Sequence, residues 1–281
     1  MKHSPLRATV RLLAFLTMTG GLLPFYLLAF PLGKRARRMF SYPFFRGCIY
    51  LTGLNIQTSG TQAHNSGALL VANHASYLDI PVLATLADGL FVAKEEVRGW
   101  PLFGFLASIS QTVFVARRAA RVPRERLAIA NRLAEGETIF LFPEGSSSDG
   151  TGVLPFRAGL LSAALADDER DVTVQPISIV YGPTTTDRPS LSPETRDSYA
   201  WYGDMDLAPH LWRLFGLPHR AVVSVHFHTP RSSREFCSRR ALALWAERSV
   251  AVGVGNALKG RGAQSIPASC PIDDIPLYAM R

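Results

Sequence analysis

Residues 68–81 read Ala-Leu-Leu-Val-Ala-Asn-His-Ala-Ser-Tyr-Leu-Asp-Ile-Pro. Five apolar residues in a row, Ala68 to Ala72, lack the alternation of a half-exposed strand and describe one covered on both faces. A polar group follows at once, and then Pro81, which a helix tolerates only near its start. Strand, polar turn and helix form the repeating unit of α/β sheets, whose ligands gather at strand ends.

The alternation continues on both sides. Leu54 to Thr58 reads as a short first strand, and the apolar runs Leu90 to Ala93, Thr112 to Val115, Thr138 to Phe142 and Val172 to Val180 as buried ones. Helical patterns lie between them at Tyr77 to Ala87, Pro101 to Ser108, Pro123 to Glu135 and Arg157 to Ala166. Pro183 to Ser198, dense in Thr, Pro, Ser and Asp, reads as an exposed excursion. A helix near Asp206 to Phe215, a strand at Ala221 to Phe227 and a helix from about Ser233 to Leu258 complete the pattern. The expected fold class is α/β: a single domain over residues 54–260, its mixed sheet covered by helices, long enough to bury a full core. Residues 261–281, rich in Pro and Ser, read as a disordered tail.

Ahead of the domain, Leu12 to Gly33 contains no charged side chain. As a continuous helix it would be about 33 Å long, roughly the hydrocarbon thickness of a bilayer. Gly20, Gly21 and Pro24 in its middle leave two shapes open, a kinked single span and a re-entrant hairpin. The run is longer than a secretory signal's apolar core and has no A-x-A site after it, so it reads as a retained membrane segment. Lys34, Arg35, Arg37 and Arg38 follow, and such clusters stay on the cytoplasmic side. Residues 1–53 therefore read as a membrane anchor plus an amphipathic helix, Arg37 to Thr52, with the domain on the cytoplasmic side of the cell inner membrane.

Lys and Arg outnumber Asp and Glu by 30 to 22, which favours anionic partners. No nucleic-acid recognition motif accompanies the charge, so nucleic acid is not expected among them. Cys48, Cys237 and Cys270 stand far apart with no C-x-x-C pair, which suggests neither a disulfide framework nor a zinc site. No metal and no cofactor is implied.

His74 and Asp79 would lie about 140° apart on an unbroken helix. They can meet only if the helix starts near Ser76 and His74 lies in the turn before it. Asp79 would then hold one ring nitrogen as N–H while the other takes a proton from an attacking hydroxyl. The competing possibility is a capping box of Ser76 and Asp79 with His74 incidental. After another strand comes Phe142-Pro-Glu-Gly-Ser-Ser-Ser-Asp-Gly150. Gly145 and the hydroxyls of Ser146 to Ser148 can present donors to an anionic oxygen, and Glu144 can accept from a substrate hydroxyl or brace an arginine. The same stretch also suits a plain turn. Arg117, at the end of the strand Thr112 to Val115, can grip a phosphate or carboxylate, or form a surface ion pair. His226 and His228 share a strand face, but no third metal ligand is evident and they read as a surface pair. A serine hydrolase would need a G-x-S-x-G elbow, which the chain lacks.

Jointly and in this order, these clusters and Val174-Gln175-Pro176-Ile177-Ser178 resemble the glycerophospholipid acyltransferase family. Its N-H-x-x-x-x-D motif is matched by Asn73, His74 and Asp79, and its apolar strand ending in arginine by Phe114 to Arg117. Its F-P-E-G-T-R-S motif is matched by Phe142, Pro143, Glu144, Gly145 and Ser148, and its strand proline by Pro176. Phe156, Arg157 and Gly159 resemble the basic follow-on segment, and Lys94 with Trp100 to Gly104 the stretch between the first two motifs. The resemblance implies that a lysolipid hydroxyl, deprotonated by His74, attacks the thioester of acyl-carrier protein or acyl-CoA at a membrane. Asn73, Arg117, Glu144, Gly145 and Ser146 would then be its substrate-binding residues.

Ser147 departs from the family, which has arginine there, so one anion-binding charge is missing. With Ala200 to Asp206 and Pro209 to Trp212, this variant resembles the branch that acylates lyso-ornithine lipid, whose head group has no phosphate. Asp204 and Asp206 are candidates for its amine, or simply cap a helix. Acylation of 1-acylglycerol-3-phosphate is the second expectation, and a membrane-anchored lipid-binding scaffold the non-enzymatic one.

Overall fold

The computed structural model describes residues 3–63, 67–116, 122–166, 170–182, 198–218 and 221–259. Arg117, Cys270, most of the expected excursion and the expected tail lie outside them. The strands are β1 (Leu54–Gly60), β2 (Leu69–Ala72), β3 (Leu90–Lys94), β4 (Val113–Val115), β5 (Ile139–Leu141), β6 (Thr173–Gly182), β7 (Ala221–Phe227) and β8 (Arg231–Ser232). The helices are α1 (Pro5–Leu28), α2 (Lys34–Thr52), α3 (Asp79–Leu86), α4 (Phe103–Ile109), α5 (Val122–Ala134), α6 (Ala158–Leu161), α7 (Leu207–Gly216) and α8 (Arg239–Leu258). All the strands join one sheet in the order β1-β7-β6-β2-β5-β3-β4, with β8 paired to β6. Strands β2 to β6 run parallel and β7 runs against β6, which makes the sheet mixed, as expected.

Strand β2 lies between β5 and β6 and every one of its residues is buried. Side chains alternate along a strand, so Leu70 and Ala72 enter one core with Phe140, Ile177, Ile179 and Val223. Leu69 and Val71 enter the opposite core with Ile139, Leu141 and Val174. Helix α3 covers the first core through Val82 and Leu83, and α7 through Leu214. Helix α5 covers the second through Ile129 and Leu133, and α8 through Leu242, Ala246, Val250 and Val254. Burial on both faces explains why β2 reads as an unbroken apolar run.

The helical patterns after Arg157 and after Ser233 are each divided in the structure. The pattern from Arg157 to Ala166 is α6 followed by a 3₁₀ segment, Ser162–Leu165; the Ser162 hydroxyl donates to the Gly159 carbonyl at 2.6 Å and competes with the helical ladder. The last helix starts at Arg239 rather than near Ser233, because Ser232 and Glu235 form a capping box around a separate 3₁₀ turn and Ser238 caps α8.

The apolar run at the amino terminus is an unbroken helix through Gly20, Gly21 and Pro24. The chain turns back at the end of the run, at Gly33 with φ 90°, and not at Gly20, Gly21 or Pro24. Helix α2 then lies antiparallel to α1: Phe25 stacks on Phe40, and Met18 fills the space a Cβ at Gly47 would need. Ala8 and Phe15 pack against Phe215 of α7. Arg7 and Arg11 donate to the carbonyls of Phe215, Gly216 and Leu217, placing positive charge at the negative end of α7. Leu6, Val10, Leu13, Leu16 and Leu28 remain exposed on α1, which is long and apolar enough to cross a membrane.

Helix α8 approaches β6 so closely that a Cβ at Gly253 would strike Ser178 Oγ and the His228 ring. Gly253→Ala is expected to destabilise the fold by about 1–3 kcal/mol, as overpacking does, seen as a lower melting temperature in detergent. Gly255 has nothing within 4 Å of the same added atom, so Gly255→Ala should raise the melting temperature through helix propensity. Equal losses at both positions would contradict this packing.

Candidate active site

Strand β2 ends at Ala72, and the turn that follows is held by side chains. Asn73 is fully buried and bonds the backbone of β6 twice: its amide donates to the Ile179 carbonyl at 2.9 Å, and its Oδ1 accepts from the Ile179 N–H at 2.8 Å. Expected to bind substrate, Asn73 instead spends its amide on the sheet and fixes where the turn leaves it.

Helix α3 begins at Asp79, a few residues later than expected, because Ser76 to Leu78 form a turn in which the Asp79 N–H donates to the Ser76 carbonyl. That turn brings His74 Nδ1 to 2.8 Å from Asp79 Oδ2. The same oxygen accepts the N–H groups of Ala75 at 2.9 Å and Ser76 at 3.1 Å, and the Tyr181 hydroxyl donates to Oδ1 at 2.6 Å. Oδ2 takes the Ser76 amide, but the Ser76 hydroxyl accepts from Leu78 and not from Asp79, so the reciprocal capping box does not form and the carboxylate is the partner of the imidazole. Asp79 is an acceptor here, so Nδ1 carries the ring proton. The lone pair of Nε2 is then available to a hydroxyl.

Asp79 is 0% exposed and the His74 side chain 19%. Phe142 stacks on the imidazole with ring centroids 4.3 Å apart, and the Ser148 N–H and hydroxyl both donate to the His74 carbonyl. Burial pushes the Tyr181 phenol well above its ordinary pKa and the Asp79 carboxylate adds to the shift, so Tyr181 keeps its proton and remains a donor. Sequence reasoning missed Tyr181; its only signal was a phenol near the end of an apolar strand.

The loop after β5 differs from expectation in two respects. Gly145 takes φ 71° and its N–H donates to the Phe142 carbonyl, so this amide closes a turn and is not free for an anion. A Cβ at Gly145 would lie 3.3 Å from Arg157 Cζ: the glycine makes room for a guanidinium beside the loop. Ser146 and Ser147 are half-buried, with hydroxyls unbonded among the described residues. Glu144 was expected to be an acceptor or an arginine's brace, yet it is 2% exposed and neither oxygen completes a hydrogen bond. The amides of His74 and Leu154 lie close enough to lower its pKa somewhat, but burial dominates, Asp79 and Glu247 add to it, and the carboxyl is pushed up to about 8. At neutral pH Glu144 is therefore mostly protonated, a donor in place of the expected acceptor.

Asp204 and Asp206 are exposed, and Asp206 occupies the N-cap of α7 without a side-chain bond to it. His226 and His228 are no surface pair. Their rings meet edge to face at 4.4 Å beneath α8, where His228 bonds Ser178 Oγ at 2.7 Å and is 5% exposed. Ser178 donates onward to the Val250 carbonyl, so the His228 nitrogen is the donor. Burial and the neighbouring His226 push the His228 pKa down to about 3.

A family model described as Acyltransferase matches residues 49–180. The chain is 37% identical to the lyso-ornithine lipid O-acyltransferase of Brucella abortus (strain 2308), over 88% of this chain and 94% of that one. It is 33% identical to the Rhodobacter capsulatus protein of the same name, over 75% and 74% of the two chains. The 1-acyl-sn-glycerol-3-phosphate acyltransferase of Neisseria gonorrhoeae is 31% identical over 66% and 69%. Among solved structures, the 1-acyl-sn-glycerophosphate (LPA) acyltransferase of Thermotoga maritima superposes with a TM-score of 0.61 at 24% identity, covering 92% of this chain and all of that one. That last likeness establishes the fold.

The raised pKa of Glu144 has a thermodynamic consequence. Between its unfolded value near 4.5 and its folded value near 8, the folded state holds a proton the unfolded state has lost, so stability falls as pH rises through this window. Glu144→Gln removes that slope. The melting temperature of the variant relative to the parent is expected to rise steadily from pH 5 to pH 8 and then level off; a constant difference would mean that Glu144 titrates normally.

Proposed function

The chain belongs to the acyltransferase family, and from that premise we propose that it transfers a fatty acyl group from acyl-carrier protein or acyl-CoA to the hydroxyl of lyso-ornithine lipid. The observation that carries the reaction is the His74–Asp79 pair, its Nδ1–H directed at a buried carboxylate and its Nε2 unbonded among the described residues. The acceptor hydroxyl gives its proton to Nε2 as its oxygen attacks the thioester carbonyl carbon. The tetrahedral oxyanion collapses, the C–S bond breaks, and the departing thiolate takes the proton from the imidazolium, which Asp79 has stabilised meanwhile. In this reading Ser146, whose hydroxyl is unbonded among the described residues, and Arg117 are contacts of the acceptor, while the buried Glu144 and the turn-closing Gly145 shape the loop behind them.

The choice of acceptor is supported by Ser147, which supplies no charge for a phosphate, and by the names of the Brucella and Rhodobacter relatives, which match over 88% and 75% of this chain. A phosphate-bearing acceptor is the second reading, favoured by the Arg157 guanidinium beside the loop and by the Neisseria relative. The exposed apolar face of α1, with Lys34, Arg35, Arg37 and Arg38 at the start of α2, supports attachment to the inner membrane with the domain on its cytoplasmic side.

Purified detergent-solubilised protein, given labelled acyl-carrier protein or acyl-CoA, would be offered lyso-ornithine lipid and lysophosphatidate side by side. Label is expected in ornithine lipid; label in phosphatidate alone would reject the acceptor assignment. His74→Ala should abolish transfer, and Asp79→Asn should slow it by about 10³–10⁴-fold through the wrong tautomer. Tyr181→Phe should slow it about tenfold, the worth of one hydrogen bond to a charged group.

A further inference from the structure

The reaction above leaves unused the segment 200–206 and the start of α7, although both are tied to the catalytic turn. The Trp201 N–H donates to the Ala75 carbonyl at 2.8 Å, one residue from His74. Tyr77, in the same turn, shares a 3.0 Å hydrogen bond with His210 in the first turns of α7. The Trp201 indole stands edge to face against Tyr77 at 5.9 Å and against Trp100, from a distant part of the chain, at 5.7 Å. All three residues are partly exposed, so the cluster forms a wall along the turn that carries His74 and not a closed core. Arg37, Arg38, Arg98 and Arg231 stack on other rings, Phe30, Tyr42, Phe114 and Trp245. Among the described residues, no cation is stacked on the wall.

The chemistry of the acceptor says what such a wall would meet. In lyso-ornithine lipid the reacting hydroxyl lies on the third carbon of an acyl chain amide-linked to ornithine, so the head group is only a few bonds from the oxygen that reaches His74. Once that hydroxyl is on Nε2, the head group must lie against residues flanking the catalytic turn. It carries a carboxylate and a primary ammonium, and the ammonium is what distinguishes it from a phosphate head group. Glu144 is buried and mostly protonated, and Asp204 and Asp206 lie out in solvent. Aromatic faces attract an ammonium without the large desolvation penalty of a buried carboxylate.

We infer that Tyr77, Trp100 and Trp201 seat the ammonium of the acceptor and set the preference for a cationic over a phosphate head group. This rests on the lyso-ornithine reading and deepens it.

The test compares lyso-ornithine lipid with its norvaline counterpart, which keeps the hydroxyl, chain and carboxylate and lacks only the side-chain ammonium. The full-length protein in detergent should favour the ornithine acceptor in kcat/KM on the order of tenfold, the size of a desolvated cation–π contact. The ratio should fall toward one in Trp100→Leu and in Trp201→Leu, and stay mostly intact in Trp100→Phe. Because each ratio is taken within one protein, partial loss of folded enzyme cancels. Equal kcat/KM for the two acceptors in the unaltered protein, a measurement that needs no variant, would overturn the aromatic seat while leaving the acceptor reading in place. Discrimination that persists undiminished in the Leu variants would overturn it too. Failure to acylate either acceptor would instead remove the lyso-ornithine reading, and this inference with it.

Discussion

A carboxyl group with no access to solvent must find donors or stay protonated, and Asp79 finds four. They come from the His74 ring, the amides of Ala75 and Ser76, and Tyr181 on the neighbouring strand. Satisfying that group dictates the local backbone. The amides of Ala75 and Ser76 can both point at Oδ2 only if residues 74–78 form a turn, and α3 can begin only at Asp79, where its N-terminal dipole also favours negative charge. Asn73 then fixes the turn to β6 through both ends of its amide. The orientation of the imidazole follows from that arrangement.

The contrast with Glu144 shows how strongly environment decides the role of a carboxyl group. Asp79 and Glu144 lie close enough to influence each other, and both are buried. Asp79 is surrounded by donors; Glu144 has none within bonding geometry, and burial moves it to about 8. Carboxyls placed in such different surroundings suit different tasks, one as a fixed acceptor and the other as a proton donor. Nothing in Phe142-Pro-Glu-Gly distinguishes these cases, since the difference lies in how loop 142–157 closes over the side chain.

What was legible in the sequence is what depends on neighbours along the chain. The apolar run at Ala68 to Ala72 gave a strand buried on both faces, and the five-residue spacing required a turn between His74 and Asp79. What was not legible depends on residues far apart in sequence. Tyr181 reaches Asp79 because β6 is hydrogen-bonded to β2, and Asn73 is used up by Ile179 for the same reason. Strand alternation put His226 and His228 on one face, but whether that face is covered depends on Gly253 admitting α8. The apolar amino-terminal run was clear in composition; that its leading arginines cap a helix of the domain could not be inferred without knowing that α7 ends there.

That capping bears on how a lipid substrate reaches a site built at a strand end. Helix α7 has Arg7 and Arg11 of the apolar hairpin at its last carbonyls, and His210, bonded to Tyr77 of the turn at His74, in its first half. It is 10 residues long, and His210 stands six residues before Gly216, about 9 Å at helical rise, so the apolar hairpin and the turn at His74 are braced by one short rod. A separate anchor joined by a linker would let the site wander relative to the hairpin. Here the spacing between them is set by one helix.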